Sequence, residues 1–173
     1  MLAAAVLWGV FMWLLLRGCK RDRTAGLICL AFLMVAIFLI IYSTLIGRTG
    51  EAGSAGTFNW IPFHFIYKAA TIRIEYLRSA LMNSFLFMPV GMTLPFTICA
   101  YFSNRGAARQ GAAGRHPIVT TVLFAFAFSA CIEFLQFILC VGCAETDDII
   151  MNTLGAFAGC ISWKITTKML QKQ

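Results

Sequence analysis

The stretch CAETDDIIMNTLGAFAG, residues 143–159, joins three of the chain's seven carboxylates to an apolar run. At helical spacing Asp148 and Asn152 fall on one stripe, and Gly155 and Gly159 continue it. Two glycines four residues apart allow the backbones of two helices to approach closely. The stretch therefore predicts a helix that begins with acids and then packs tightly against a neighbour.

The composition of the whole chain is that of a membrane protein. Of 173 residues, 60% are hydrophobic and only 12% are charged, and the mean hydropathy is +0.81. A net charge of +7 would suggest a nucleic-acid partner in a soluble protein. In so apolar a chain it instead indicates basic loops on one side of a bilayer, so we expect no nucleic-acid binding.

Five apolar segments predict an all-α, polytopic bundle of about five transmembrane helices. A full crossing needs about 20 apolar residues, which the three middle segments supply and the first and last do not. The segments are Leu2–Leu16, Ala25–Ile46, Ala80–Phe102, Ile118–Val141 and Ile149–Trp163. The first has no basic residue before it, so we expect a retained anchor and not a signal peptide.

Loop charges predict that the N-terminus lies outside and the C-terminus inside. Ten of the 14 basic residues follow the first, third and fifth segments, and that side is expected to face the cytoplasm. They are Arg17, Lys20, Arg21, Arg23, Arg105, Arg109, Arg115, Lys164, Lys168 and Lys172. The protein is thus expected to be a multi-pass protein of the bacterial cell membrane.

The predicted organisation has four parts. Residues 1–46 hold two transmembrane helices, 47–79 form an extracytoplasmic loop, 80–163 form a three-helix core, and 164–173 form a cytoplasmic tail. Within the loop, the helical spacing of Tyr67, Ala70, Ile74 and Leu77 predicts an interfacial helix or a shallow re-entrant element.

Polar residues recur in the apolar segments at one depth. Glu133 and Gln136 lie three apart on one face, and an acid within a membrane indicates function by default. Asn83 lies outward of Pro89 and Pro95, which each remove a helix hydrogen bond. With Asp148 and Asn152 these side chains are expected to form a polar pocket that opens outward.

Structural roles compete with functional ones at several positions. Asp147 is expected to cap a helix, Glu145 fits a solvated loop acid, and the two glycines fit packing. The pair Cys140 and Cys143 favours packing over a disulfide or a metal site. No motif in the chain predicts a metal or another cofactor.

Taken together, these residues resemble the VanZ-like family of small bacterial membrane proteins. The resemblance spans Asn59 to Gly159 and excludes the first two segments. It rests on Asn59-Trp-Ile-Pro62-Phe63, Asn83-x-x-x-Phe87-x-Pro89-x-Gly91 with Pro95, Glu133-x-x-Gln136, and Glu145-x-Asp147-Asp148-x-x-x-Asn152-x-x-Gly155-x-x-x-Gly159. Many members carry an Arg before the acidic group, and residues 139–144 here have none. Arg78 is the base that we expect to substitute.

The resemblance implies a role in the cell envelope, with lowered susceptibility to teicoplanin-like lipoglycopeptides as the named phenotype. The implied partner is a membrane lipid, a lipid-linked envelope molecule or the drug itself, and the binding residues are expected to be Asn59, Asn83, Glu133, Gln136, Asp147, Asp148 and Asn152. Two alternatives stay open. One is an enzyme that modifies such a lipid, with Glu133 and Asp148 as its catalytic acid and base. The other is a small transporter, which would be oligomeric.

Overall fold

The computed structural model describes residues 23–46, 57–71, 74–103, 116–141 and 143–170. Five helices and one short pair of strands follow one another along this part of the chain. The helices are α1 (Arg23–Ile41), which continues into a π-helical turn at Tyr42–Ile46, α2 (His64–Thr71), α3 (Glu75–Ser103), α4 (Pro117–Leu139) and α5 (Thr146–Leu170). The strands are β1 (Thr57–Asn59) and β2 (Cys143–Glu145).

Helix α3 is the centre of the bundle, and α1, α2, α4 and α5 all pack against it. The core includes Ile40 of α1, Phe87 and Val90 of α3, and Ala125 of α4, all fully buried. The outward faces of α1 and α4 carry exposed large apolar side chains, such as Phe38 of α1. A bundle that is apolar outside as well as inside is typical of a protein surrounded by lipid.

Close approach of α3 and α5 depends on glycine. A Cβ on Gly155 would overlap the carbonyl oxygen of Ser84, and one on Gly159 would overlap that of Met88. In the other direction, a Cβ on Gly91 would overlap the carbonyl oxygen of Ala156. The packing role predicted for the two glycines of α5 is therefore confirmed, and their partner is α3.

Among the described residues, three helices are long and apolar enough to cross a membrane: 26–46, 75–101 and 117–139. They correspond to the second, third and fourth predicted segments, and the all-α membrane bundle is confirmed. Helix α5 is not among them, and its apolar run lies between Asp148 and Lys164. The first predicted segment lies outside the described residues. Five crossings, and their orientation, therefore stay predictions.

Several boundaries differ from the predicted ones. The helix predicted through Leu77 ends at Thr71, and α3 begins at Glu75, five residues before the predicted segment. Thr71 and Ile74, beside these two boundaries, are β-branched, and such side chains are restricted in a helix. Helix α5 extends to Leu170, so most of the predicted tail is helical.

Pro89 and Pro95 lie inside α3, which is nevertheless one continuous helix from Glu75 to Ser103. The Thr93 hydroxyl donates a hydrogen bond to the Pro89 carbonyl at 2.8 Å, within the same turns. Phe87, Val90 and Pro95 are buried against neighbouring helices, and this packing supports the backbone where the two proline N–H groups are missing.

Candidate functional site

A buried polar stripe runs along α4 and connects it to three other elements. Ser129, Glu133 and Gln136 lie on the same face of this helix, and each is at most 3% exposed. Their spacing of four and three residues places them one above another. Each makes a hydrogen bond to a different part of the chain, so the stripe fastens the polar end of the bundle, defined here as the end that carries the β1–β2 pair.

Glu133 binds the backbone just before α5. Its Oε2 accepts a hydrogen bond from the Glu145 N–H at 2.9 Å. This N–H belongs to β2, whose parallel pairing with β1 matches Asn59 with Glu145. A two-stranded pair of three residues each is marginal by itself, so the buried carboxylate helps to hold it.

Gln136 binds the end of α1. Its amide Nε2 donates to the Thr44 carbonyl oxygen at 2.9 Å. Thr44 lies in the π-helical turn that ends this helix, where carbonyl groups lack partners within the helix. The other amide atom of Gln136, Oε1, is buried with no hydrogen-bond partner among the described residues.

Asn152 of α5 contacts the stripe at Ser129, the residue of the stripe nearest the start of α4. Its Nδ2 donates to the Ser129 hydroxyl at 2.8 Å, whereas its Oδ1 is buried and has no partner in the described part of the chain. Asn83 of α3 is nearby, because the hydroxyl of the adjacent Ser84 donates to the Met151 carbonyl at 2.8 Å. The Asn83 Nδ2 is also buried without a partner in these ranges.

Asp147 caps a helix, but the helix is α2 and not its own. It is 2% exposed, and its Oδ1 accepts a hydrogen bond from the Phe63 N–H while its Oδ2 accepts one from the Phe65 N–H at 2.8 Å. Both donors lie at the start of α2, where N–H groups lack intrahelical partners and attract negative charge. Phe63 has a φ of 59°, a left-handed conformation that costs a non-glycine residue about 1–2 kcal/mol. The Asp147 carboxylate offsets that cost.

Asn59 and Glu145 join the same segment to the bundle. The Asn59 Nδ2 and the His64 Nδ1 are 2.9 Å apart, and the Asn59 Oδ1 accepts from the Ile61 N–H. Glu145, interpreted above as a solvated acid, instead forms an ion pair with Lys68 at 3.1 Å. The side chains of this pair are about a quarter exposed or less.

The base beside the acidic group is therefore Lys68 of α2, and the expectation for Arg78 is wrong. Arg78 is exposed on α3, whereas Lys68 contacts Glu145 and also lies 5.1 Å from the centre of the Tyr76 ring. A lysine on a separate helix gave no sequence signal, because contacts between residues distant in the chain, the β1–β2 pairing and the Asp147 hydrogen bonds, bring it to this acid.

The structure thus brings together most of the predicted site. Asn59, Glu133, Gln136, Asp147 and Asn152 all lie at the polar end, and Asn83 is adjacent through Ser84. Asp148 is partly buried in the first turn of α5. Sequence analysis missed Ser129, Thr44, His64 and Lys68, of which Ser129 alone had a signal, one turn before Glu133.

The described ranges contain no group of three His, Cys, Asp or Glu side chains that could hold a metal ion. Cys140 and Cys143 are both free thiols, and Cys140 ends α4 with a φ of 52°. The Thr57 hydroxyl donates to the Cys143 sulfur at 3.2 Å, which links the cysteine to β1.

Comparison with known proteins gives one match. The family model described as VanZ/LLP1 matches residues 27–167. No curated protein and no solved structure matches the chain. The matched range begins in α1, so the relationship extends further than the motifs from Asn59 to Gly159 indicated. It includes α2, α3 and α4 in full, most of α1 and α5, and every side chain of the polar end. The chain is a membrane protein, and it belongs to the VanZ/LLP1 family.

Proposed function

We propose that this chain is a multi-pass protein of the bacterial cell membrane that lowers susceptibility to teicoplanin-type lipoglycopeptides by binding a lipid-linked envelope molecule, or the drug, at its polar end. In this proposal the polar end faces the outside of the cell. The observation that carries it is the pair of buried amide oxygens, Gln136 Oε1 and Asn152 Oδ1, that have no partner in the described structure beside the buried Glu133.

Unpaired buried oxygens favour a binding role over a purely structural one. Leaving one buried polar atom unsatisfied costs about 1–3 kcal/mol, and most proteins avoid it. Here two amide oxygens and one amide nitrogen, that of Asn83, lie on three packed helices. The Glu133 carboxyl group lies on the same face of α4 as Gln136 Oε1, so the stripe is rich in hydrogen-bond acceptors. A ligand with hydroxyl, amide or ammonium donors would supply the missing hydrogen bonds.

The surroundings of the polar end favour a ligand with a lipid part. The outward faces of α1 and α4 are apolar along their length, which is suited to lipid. A lipid-linked molecule could keep its chain against such a face while its head group reaches the polar end. Teicoplanin carries an acyl chain and vancomycin does not, so the proposal predicts that protection depends on that chain.

Loop charge supports the outward orientation. Ten of the 14 basic residues follow the first, third and fifth predicted segments, whereas the polar end is formed where the second and fourth predicted segments end. An outward polar end would meet envelope precursors and drugs without their having to cross the membrane.

Drug susceptibility tests the proposal. A susceptible Gram-positive host would express the wild type, Glu133→Gln, Asn152→Leu or Thr153→Val at membrane levels matched by immunoblot. We expect the wild type to raise the inhibitory concentration of teicoplanin but not that of vancomycin. Glu133→Gln and Asn152→Leu should lose this protection, because one removes the buried charge and the other removes an unpaired oxygen.

Thr153→Val is the matched control. Thr153 follows Asn152 on α5, and its hydroxyl donates to the Ile149 carbonyl within the same helix at 2.7 Å. Removing that hydroxyl leaves the polar stripe unchanged, so protection should persist. Protection by none of the proteins, or equal protection by all of them, would contradict the proposal.

A further inference from the structure

An exposed aromatic surface lies beside the polar end, and neither the bundle nor the proposed function uses it. We call it the aromatic platform and define it as Trp60, Ile61, Phe63, Ile66, Tyr67 and Ile74. Trp60 is 75% exposed and Tyr67 is 64% exposed. Helix α2, which carries Ile66 and Tyr67, has no buried residue at all. So many large apolar side chains within 15 positions mark an interaction surface.

The aromatic platform is fixed to the bundle. Asp147 holds the start of α2 by two hydrogen bonds, and Lys68 pairs with Glu145. Strand β1, which leads directly into the platform, pairs with β2. Within the segment, the Phe58 and Trp60 rings pack with their centres 3.9 Å apart. A segment held in this way presents its apolar side chains as a formed surface, so their exposure has a structural cause.

The platform lies where a membrane boundary is expected. It ends at Ile74, and the membrane-length stretch of α3 begins at the next residue, Glu75. Tryptophan and tyrosine collect at such boundaries, because their rings are apolar and their N–H or O–H groups remain hydrated. Lys68 of the same segment pairs with Glu145 and lies 5.1 Å from the centre of the Tyr76 ring, so its charge is held against the bundle.

We propose that the aromatic platform inserts into the boundary between head groups and acyl chains of the same bilayer that the bundle crosses. The platform then lies along the membrane surface beside the polar end, and Asp147 sets its position. This inference goes beyond the proposed function and does not require it. It chooses the interfacial over the re-entrant alternative for this segment: the platform stays at the boundary and does not enter the hydrocarbon core.

Tryptophan fluorescence in lipid vesicles tests this placement. The chain has four tryptophans, and the combined changes Trp8→Phe, Trp13→Phe and Trp163→Phe leave Trp60 as the sole reporter. The full chain would be reconstituted in phosphatidylcholine vesicles. The lipids would be brominated either near the head group or near the end of the acyl chain, and iodide would report contact with water.

We expect blue-shifted emission from Trp60, a larger fractional loss of fluorescence with shallow bromines than with deep ones, and little loss with iodide. A variant that keeps Trp163 in place of Trp60 is the matched control for reconstitution. If the triple variant is not recovered, the wild type and Trp60→Phe give the Trp60 signal by difference.

Each other outcome overturns the proposal in a distinct way. Strong loss with iodide and none with bromine would place the platform in water. Greater loss with deep bromines would make the segment re-entrant. Weak loss with every quencher would show that protein covers Trp60, either another chain or a second copy of this one.

Discussion

At the scale of single residues, the carboxylates of the polar end act first as anchors. Glu133 accepts a backbone N–H of β2, and Asp147 accepts two at the start of α2. These acids, which predicted a binding site from the sequence, therefore also hold the backbone of that site in position. Loss of activity on changing such a residue does not by itself show that the residue contacts a ligand. A useful variant must keep the backbone hydrogen bond while it removes the carboxyl group. Glu133→Gln does so, since its amide oxygen can still accept from Glu145.

Asp147→Ala should lower the free energy of unfolding by about 2 kcal/mol or more, because two N–H groups of α2 lose their acceptor. Glu75→Ala is the control, since Glu75 is exposed in the first turn of α3 and should contribute less than about 1 kcal/mol. Unfolding in detergent micelles, followed by circular dichroism, would measure both. Equal effects would show that Asp147 does not hold α2.

At the scale of elements, the contact between α3 and α5 organises the bundle. Gly155 and Gly159 approach α3, and Gly91 of α3 approaches α5, so small residues line both sides of the contact. With the backbones this close, the Ser84 hydroxyl reaches the Met151 carbonyl. The neighbours of Ser84 and Met151 in the chain are Asn83 and Asn152, so the contact of α3 with α5 bears on the candidate site as well as on the fold.

Gly155→Ala should separate α3 from α5 and lower stability by about 1–3 kcal/mol, as overpacking does. The control is Ala158→Leu, which adds more bulk on the exposed side of the same helix. The amount of folded protein in membranes and its melting temperature in detergent would report the difference. A stable Gly155→Ala protein would mean that α5 does not pack on α3 as described.

The sequence predicted the elements of the bundle better than the connections between them. Long apolar runs and the glycine spacing follow local rules. The helices predicted from the second, third and fourth apolar segments and the packing role of Gly155 are therefore confirmed. The β1–β2 pair joins residues 86 positions apart, and no local pattern contains it. The contact of Lys68 with Glu145 follows from that pair, which explains why Arg78 was the wrong base.

At the scale of the whole molecule, the polar end unites four parts of the chain in one place. Residues from the end of α1, from the segment 57–71, from α4 and from α5 meet there. Further from the polar end, Thr121 of α4 donates a hydrogen bond to the Pro117 carbonyl of its own helix and is also hydrogen-bonded to the Cys160 side chain of α5. The transporter alternative requires a polar path across the membrane, and it stays a prediction.

Cysteine labelling tests whether the polar end faces the outside of the cell, as proposed above. Cys140 is exposed at the end of α4 and would be kept as the sole cysteine, with Gln171→Cys in a cysteine-free chain as the reporter for the other side. Intact cells would be treated with a maleimide that does not cross membranes. We expect Cys140 to be labelled in intact cells and the Gln171→Cys reporter to be labelled only after permeabilisation. Labelling in the reverse order would place the polar end in the cytoplasm and contradict the proposed orientation.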